Sequence, residues 1–400
     1  MRNTWEYHSS SRIIFGCGAI HNLASVMHSL DAANLLLITD PGIKRAGIVD
    51  RVVHLLEQQG LHVILFDKAV PEPAVQTALD CYEVTRLHKK IDAVVGLGGG
   101  SSIDLAKIVA VLLKYGGAPL DYAGENKVPG PILPLVAIPT TAGTGSEVTS
   151  ISVITDSDNH LKVGISDHHL RPLVALLDPE LTIGLPPYVT ACTGMDALSH
   201  AVEAYTAKDY KYIQAQGSLM SQGSFPLTDT LALDAIRLIA NHLITAVQQG
   251  SNLEARSGMM LGSLMAGMAF SNAGVALAHA LAYPIGGLTA SPHGELTGLL
   301  LPHVTRYNAA VSKYKLRRIA EALLLPVDRL KNNEVESAVF HALTELLVRA
   351  GLPVSLSAIG ITREAVPGIA EKSLLIDRLI RGNPRVPNQT ELEGLLYNAL

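Results

Sequence analysis

The stretch DAVVGLGGGSSIDLAK (92–107) contains an apolar run, a cluster of glycines and then a segment with helical periodicity. An apolar run that ends in glycine predicts a buried β-strand, and the segment after it predicts a helix. Similar apolar runs occur at 34–40, 62–67, 131–141 and 174–179, with helix-like segments among them. Nearly continuous apolar strands that alternate with helices are typical of a parallel sheet covered by helices. The first part of the chain is therefore predicted to be an α/β domain.

The pattern changes near LTIGLPPY (181–188). After this point β-branched runs become rare, and helical periodicity dominates segments such as 229–250. The length of 400 residues also exceeds what one hydrophobic core usually supports. We predict two domains with a boundary near residue 185: an α/β domain over 1–185 and an all-helical domain over 186–400.

Bulk composition argues against several classes of protein. The formal charge of −5, with scattered Lys and Arg, gives no electrostatic footprint for a nucleic-acid partner. Cys17, Cys81 and Cys192 show no CxxC spacing, which argues against a disulfide framework or a cysteine-ligated zinc site and indicates a reducing compartment. The N-terminus shows no basic region followed by an apolar core, so no secretory signal is predicted.

Two segments of the second half have distinctive composition. The most apolar one, 258–287, is dense in Gly and Ala and carries Ser271, Asn272 and His279. This favours closely packed buried helices over a membrane span. The segment 208–225 is polar without clear periodicity and is predicted to be a connecting loop.

The glycine cluster of GLGGGSSIDLAK (96–107) is a candidate phosphate-binding loop. Glycines allow close approach of a ligand, and either Ser101 or Ser102 is predicted to cap the helix, with Asp104 in its first turn. Free N–H groups at such a helix start form an anion site. The loop lacks the last glycine of GxGxxG and follows a late strand, so a tight turn without a ligand is the alternative.

A second loop, IPTTAGTGSEVT (138–149), supplies hydroxyls and glycines after the next predicted strand. Two such loops at the carboxyl ends of neighbouring strands fit a dinucleotide. Asp40, which ends the apolar run 34–40, is placed to accept from ribose hydroxyls and would repel a 2′-phosphate, which favours NAD over NADP. The alternative for Asp40 is a turn-initiating residue. The sequence shows neither a Walker lysine after the glycines nor a G-x-S-x-G elbow, which argues against a P-loop ATPase and a serine hydrolase.

The stretch GMDALSHAVEA (194–204) places an acid and an imidazole four residues apart. Asp196 and His200 would share one face of a helix, with about 6 Å between Cβ atoms. Either they form a hydrogen-bonded pair in a core or they are half of a metal site. His279 and His293 also lie in apolar or loop contexts, and one carboxylate with three imidazoles suits Fe(II) or Zn(II). Spacing alone leaves four alternatives: His168, His169, His242 and His303.

Taken together, GGGSSIDLAK, PTTAGTGSEVT, GMDALSHAVEA, the His279…PHG pair and the final NPR (383–385) resemble the iron-containing (group III) alcohol dehydrogenases. The motifs occur in the family's order over nearly the whole chain. The resemblance implies a dehydroquinate synthase-like architecture: a dinucleotide-binding α/β domain, then a helical domain, with the active site between them. It implies hydride transfer between a small alcohol or aldehyde and NAD, with Fe²⁺ or Zn²⁺ bound. Family members are usually cytoplasmic and form homodimers or larger homo-oligomers, and no membrane partner is expected.

The resemblance also assigns site residues. The implied metal ligands, which are also catalytic candidates, are Asp196, His200, His279 and His293. The predicted cofactor contacts come from the two loops and two further positions: Asp40, Gly98, Gly99, Gly100, Ser101, Asp104, Thr140, Thr141, Thr144 and Lys162.

The chain departs from the family at two positions. Many members carry a second histidine, near the nicotinamide, four residues after the first, where this chain has Tyr283. Tyr283 is therefore a catalytic candidate for the proton relay, with a ribose hydroxyl or water as the alternatives. Tyr283 and the long 208–225 connection also resemble hydroxyacid–oxoacid transhydrogenases, which keep the nicotinamide bound. Glu72 occupies the second position, where Asn is common.

The substrate is predicted only as a class. Residues lining the pocket are expected from 145–152, from 250–275 and from the loop before His293, and they are largely small and apolar. This favours a short or medium aliphatic alcohol, and the sequence places no cationic residue to bind a carboxylate. A nucleotide-sensing protein without turnover and a non-redox enzyme like the dehydroquinate synthases are the alternatives outside the dehydrogenases.

Overall fold

A computed structural model describes residues 1–86, 88, 90–156, 161–214 and 219–400. The chain divides into two compact units. The α/β unit consists of His8–Thr141 and Gly145–Gly184, and the helical unit of Met1–Tyr7, Ala142–Thr144 and Leu185–Leu400. The assignment of cofactor binding to one part of the chain and metal chemistry to the other stays a prediction.

The α/β unit contains a six-stranded parallel sheet. In chain order its strands are β1 (Arg12–Phe15), β2 (Asn34–Ile38), β3 (His62–Phe66), β4 (Ala93–Gly98), β6 (Leu135–Pro139) and β9 (Val174–Leu177), with β5 (Gly124–Glu125), β7 (Ile151–Asp156) and β8 (Leu161–Ser166) in a second, three-stranded sheet. The order across the large sheet is β1-β9-β6-β4-β2-β3, and each neighbouring pair is parallel. The predicted parallel sheet is confirmed.

Alternating residues of β2 explain the apolar run at 34–40. Leu35 and Leu37 belong to one hydrophobic core of the unit, whereas Leu36 and Ile38 belong to the other. Successive side chains of a strand point to opposite faces, so a strand with both faces covered must be apolar throughout.

Five helices accompany these strands: α1 (Leu23–Ser29), α2 (Pro41–Arg45), α3 (Ile48–Glu57), α4 (Val75–Arg86) and α5 (Gly100–Tyr115). The predicted serine cap of α5 is wrong. Gly99 is the N-cap residue, no side chain caps the helix, and no acidic residue lies in its first turn. The helix begins within the glycine run, so Ser101 and Ser102 fall inside the first turn and Asp104 follows it.

The sequence patterns did not predict the hairpin formed by β7 and β8. These strands pair antiparallel, and β8 also pairs with β5. The burial of β7 alternates along the strand, which is typical of a strand with one covered face. A search for continuous apolar runs therefore misses it.

The second half of the chain is helical, as predicted. Its helices are α6 (Pro187–Thr206), α7 (Pro226–Gln248), α8 (Leu253–Ala273), α9 (Leu277–Gly286), α10 (His293–Asn308), α11 (Lys313–Ala322), α12 (Val335–Ala350), α13 (Val366–Leu374), α14 (Asp377–Ile380) and α15 (Gln389–Ala399). Within the predicted loop 208–225, a short 3₁₀ turn spans Tyr210–Tyr212, and residues 215–218 lie outside the described residues.

The helical unit contains helices apolar enough to be compared with membrane spans: α7, and the pair α8 and α9, which covers most of the apolar stretch 258–287. Among the described residues, α7 is the one helix that is by itself long and apolar enough to cross a membrane, and 44% of its most apolar window is buried. The pair α8 and α9 passes the same test jointly but is bent by 99°. Such matches are weak evidence for a span, because buried core helices share these properties.

Candidate metal centre

Helix α6 carries its three ionisable site groups on one buried face. Asp196, His200 and Glu203 follow the i, i+4, i+7 spacing, and each is at most 6% exposed. Pro187 at the first turn and the small residues of the segment favour a helix that packs closely with its neighbours. The carboxylates are thus placed in a core that gives them little water, so each needs a partner.

Three histidines surround the Asp196 carboxylate. His279 from α9 and His293 from α10 each place Nε2 3.9 Å from Oδ1 of Asp196. The Nε2 of His200 lies 4.0 Å from Oδ2. These separations are longer than hydrogen bonds, so a pairing of Asp196 with one histidine does not explain the cluster.

The histidine rings are oriented through their other nitrogens. Nδ1 of His279 lies 2.6 Å from Oε2 of Glu203, and Nδ1 of His200 lies 3.3 Å from the carbonyl oxygen of Gly143. With Nδ1–H donating in both rings, Nε2 is left as a lone pair facing Asp196. Burial, together with the neighbouring His279, holds the pKa of His200 well below its ordinary value, so this ring is neutral at pH 7.

A divalent metal fits this arrangement. Buried Nε2 of His279 has no hydrogen-bond partner among the described residues. The ligand atoms of Asp196, His279 and His293 all lie within 4.8 Å of one another, and they form a group that could hold a metal ion. Ligand atoms bound to one tetrahedral Zn²⁺ are about 3.4 Å apart, given bonds of about 2.1 Å. A cation therefore needs only small side-chain movements to be bound here.

The four alternative histidines lie elsewhere. His168 and His169 belong to the α/β unit. The His242 ring is packed against Gly258. His303 packs edge-on against Phe340. Among the described residues, none of these joins the cluster at Asp196.

Glu203 is a site residue that the sequence reading missed. Besides His279, its carboxylate accepts from the backbone N–H groups of Ala276 (3.0 Å) and Ala278 (2.6 Å), at the start of α9. Its position, one helical turn after His200, is the signal that could have identified it. Glu203 fixes both the ring and the helix that carries it.

Replacing Glu203 with Gln is expected to weaken metal binding by about 10- to 100-fold, as the loss of an outer partner of a ligand histidine usually does. The amide of Gln has nearly the shape of the carboxylate but no charge, so it accepts the hydrogen bond from Nδ1–H of His279 more weakly. Metal affinity is measured by competition with a chromophoric chelator, and thermal unfolding of the metal-free protein serves as the control. Wild-type affinity in a stable Glu203→Gln protein would contradict the role.

The predicted cofactor loop lies in the α/β unit. Gly98 has φ of +148°, and a Cβ there would lie 2.6 Å from Oγ of Ser102. Side-chain-bearing residues rarely adopt this conformation, so the backbone approach at Gly98 requires glycine. A Cβ on Gly99 would lie 3.6 Å from Cγ2 of Thr141, which places the two predicted loops side by side. Thr140 is fully buried, and its Oγ1 has no partner among the described residues.

Asp40 lies where the strand order reverses. β3 lies on one side of β2 and β4 on the other, so the carboxyl ends of β2 and β4 flank a switch point, where open α/β sheets bind ligands. Oδ1 of Asp40 caps α2 by accepting from Gly42 N and Ile43 N, and Oδ2 lies 3.4 Å from Oγ of Ser102. Asp40 therefore does initiate a turn, and its Oδ2 is the oxygen that would make the predicted ribose contact.

Lys162 and Asp104 are engaged with other residues of the protein. Lys162 pairs with Glu72 at 2.5 Å, and Glu72 N–H donates to Ser101. Asp104 accepts from Val153 N and contacts Lys107, whose pKa is lowered by burial to about 8. These contacts favour a structural role for Asp104 and place Lys162 near the glycine loop. Thr144 is grouped with the helical unit.

Tyr283 lies beside the cluster in the helical unit. Its ring centroid is 5.9 Å from that of His293, and its hydroxyl accepts from Nη2 of Arg378 at 3.2 Å. The predicted catalytic candidate is therefore near one of the predicted ligand histidines, with a guanidinium beside its oxygen.

Family models match almost the whole chain. The model of iron-containing alcohol dehydrogenases matches residues 10–179, and that of the family's C-terminal part matches residues 190–400. The chain belongs to the iron-containing alcohol dehydrogenase family. It is an oxidoreductase that acts on a CH–OH group.

Three relatives illustrate the similarity. The NAD-dependent methanol dehydrogenase of Bacillus methanolicus is 35% identical, with 97% of each chain covered. The crystal structure of a 1,3-propanediol oxidoreductase superposes with a TM-score of 0.93 at 37% identity and covers 100% of both chains. That of sulfoacetaldehyde reductase from Bifidobacterium kashiwanohense, in complex with NAD⁺, gives a TM-score of 0.87 at 29% identity and covers 100% of this chain and 99% of that chain. They support the expected dehydroquinate synthase-like architecture.

Proposed function

We propose that this family member is an NAD-dependent alcohol dehydrogenase and aldehyde reductase whose divalent metal is held by Asp196, His200, His279 and His293. The observation that carries the proposal is the buried Nε2 of His279, which has no hydrogen-bond partner among the residues that the structure describes and whose Nδ1 is fixed by Glu203. A hydrogen-bonded core pair would leave no such atom. One carboxylate and three imidazoles suit both Fe²⁺ and Zn²⁺. Fe²⁺ is the proposed metal, and Zn²⁺ is the alternative.

The bound metal would polarise the substrate oxygen, and NAD would accept or return the hydride. The chain's own residues arrange this chemistry. Asp196 supplies a buried negative charge and is held by a hydrogen bond from Oγ1 of Thr297 at 2.9 Å. Neutral His200 offers a lone pair, and Glu203 keeps His279 oriented. Tyr283 is proposed to hold or pass the hydroxyl proton, because it lies beside His293.

The cofactor proposal draws on the glycine loop and on the relatives. The start of α5 has no side-chain cap, so its first N–H groups suit a pyrophosphate. An acid at the end of β2 favours NAD over NADP. A methanol dehydrogenase relative is NAD-dependent, and a reductase relative was crystallised with NAD⁺. A cytoplasmic location and a homodimer or larger homo-oligomer stay predictions.

The test begins with protein stripped of metal under anaerobic conditions. Fe(II) or Zn(II) is added back, and NADH formation is followed with primary alcohols from ethanol to hexanol, with NADP⁺ as the comparison. We expect turnover to return only with metal and to favour NAD⁺. Turnover that is insensitive to chelation would contradict the metal assignment.

The same preparation separates the transhydrogenase alternative. Such an enzyme would interconvert a hydroxyacid and an oxoacid without free NAD⁺ and would release no NADH with any single alcohol.

A further inference from the structure

Arg378 contacts Tyr283, the tyrosine that lies beside the metal cluster. Arg378 belongs to α14, and its Nη2 donates to the Tyr283 hydroxyl at 3.2 Å. The Tyr283 ring in turn lies 5.9 Å, centroid to centroid, from the ring of His293. One tyrosine side chain therefore separates this guanidinium from a proposed metal ligand.

The charge of Arg378 lacks a counter-charge in the part of the protein that the structure describes. Among the described residues, no carboxylate lies within ion-pair distance of it, and its neighbour Asp377 points to Arg381 instead, at 4.0 Å. By contrast, Arg385 pairs with Glu391 at 2.5 Å. A partly buried arginine is usually paired, because removal of a charge from water is costly.

Apolar packing holds the helical turn that carries Arg378. The next two residues, Leu379 and Ile380, are buried in the core that also contains α9. Its guanidinium offers five N–H donors in a planar fork, and within the described ranges its one hydrogen bond is to the Tyr283 hydroxyl. The remaining donors are suited to the two oxygens of a carboxylate.

We propose that Arg378 binds a carboxylate on the substrate, so that the preferred substrates are short alcohols and aldehydes with a carboxylate at the end remote from the reacting carbon. This deepens and rests on the proposed function, and it replaces the expectation of an uncharged aliphatic alcohol. The chemistry is unchanged: the carbinol carbon gives hydride to NAD⁺, the hydroxyl loses its proton, and aldehyde, NADH and H⁺ result.

The test compares two aldehydes of equal chain length, succinate semialdehyde and butanal, on the metal-loaded enzyme. We expect wild type to favour succinate semialdehyde in kcat/KM. In Arg378→Gln, the ratio of the two kcat/KM values should fall by about 10- to 100-fold, as loss of a hydrogen bond to a charged group does. Arg349→Gln removes an exposed, ion-paired arginine of the same unit and should leave the ratio unchanged.

A second readout needs no turnover. Calorimetry measures binding of 4-hydroxybutyrate to the enzyme without NAD, and Arg378→Gln should raise its Kd by a similar factor. If Arg378 only positions Tyr283, Tyr283→Phe would abolish the preference for the acid as fully as Arg378→Gln does, and the proposal is overturned.

The failures of the two proposals are distinguishable. Turnover of butanal without any preference for succinate semialdehyde would overturn the role of Arg378 and leave the dehydrogenase standing. Absence of turnover with both aldehydes would sink the dehydrogenase, and 4-hydroxybutyrate binding would then decide the role of Arg378: dependence on the arginine supports it, and no dependence overturns it.

Discussion

Replacement of His279 with alanine is expected to abolish turnover and metal retention together. The variant removes a proposed ligand whose Nε2 faces Asp196 at 3.9 Å, and it also removes one of the three donors to Glu203. The loss of metal affinity should exceed the roughly 10- to 100-fold that loss of an outer partner causes. Metal content after dialysis, measured by elemental analysis, and initial rates with the same alcohol check the prediction.

Two measurements separate this effect from general misfolding. NADH binding to His279→Ala, followed by fluorescence, should stay close to wild type, because the proposed cofactor loops belong to the α/β unit. His341→Ala removes an exposed histidine from α12 and should keep both metal and rate. A His279→Ala protein that keeps a full complement of metal would rule out the assignment of this residue as a ligand.

The sequence alone predicts one half of the candidate metal site, Asp196 with His200, but not how the other half joins it. Asp196 and His200 were predictable as a pair because the four-residue spacing fixes their common face on a helix. Their meeting with His279 and His293 was not, because it depends on the packing of α9 and α10 against the rest of the helical unit. The family resemblance supplied that step. Glu203 was missed although it follows the same helical spacing, because a glutamate on a helix is ordinarily exposed.

For the fold, local sequence patterns predicted most strands of the large sheet but not their order or the start of every helix. Continuous apolar runs predicted every strand of the large sheet except β1, a four-residue edge strand that buries little. The order of the strands does not follow from their composition. Helix α5 shows the limit of local rules: Gly99 provides its N-cap where a serine was expected, and Gly98 just before it has a positive φ that only glycine adopts readily. Arg378 could not be identified, since nothing in the sequence places it beside Tyr283.

Replacement of Gly294 with alanine is expected to destabilise the protein and to weaken metal binding, although this residue is no ligand. A Cβ at Gly294 would lie 2.2 Å from the carbonyl oxygen of Cys192 and 3.0 Å from Cβ of Asp196. Both contacts are with α6, and a backbone carbonyl cannot move aside as a flexible side chain can. The first turn of α10 must then shift away from α6, which moves His293 relative to Asp196.

The expected cost is about 1–3 kcal/mol of unfolding free energy, as for other overpacked sites, or more because backbone is involved. It opposes the gain of up to about 1 kcal/mol that alanine normally brings to a helix.

Gly394→Ala isolates that gain, because Gly394 lies in α15 with nothing within 4 Å of its added Cβ. Urea unfolding of both variants and chelator competition for the metal give the comparison. If Gly294→Ala matched Gly394→Ala in stability and retained wild-type metal affinity, the close contact of α10 with α6 would not be what positions His293. Reduced affinity with little loss of stability would instead locate the effect in the distance between His293 and Asp196, since the two residues lie on the two helices that the new methyl group forces apart.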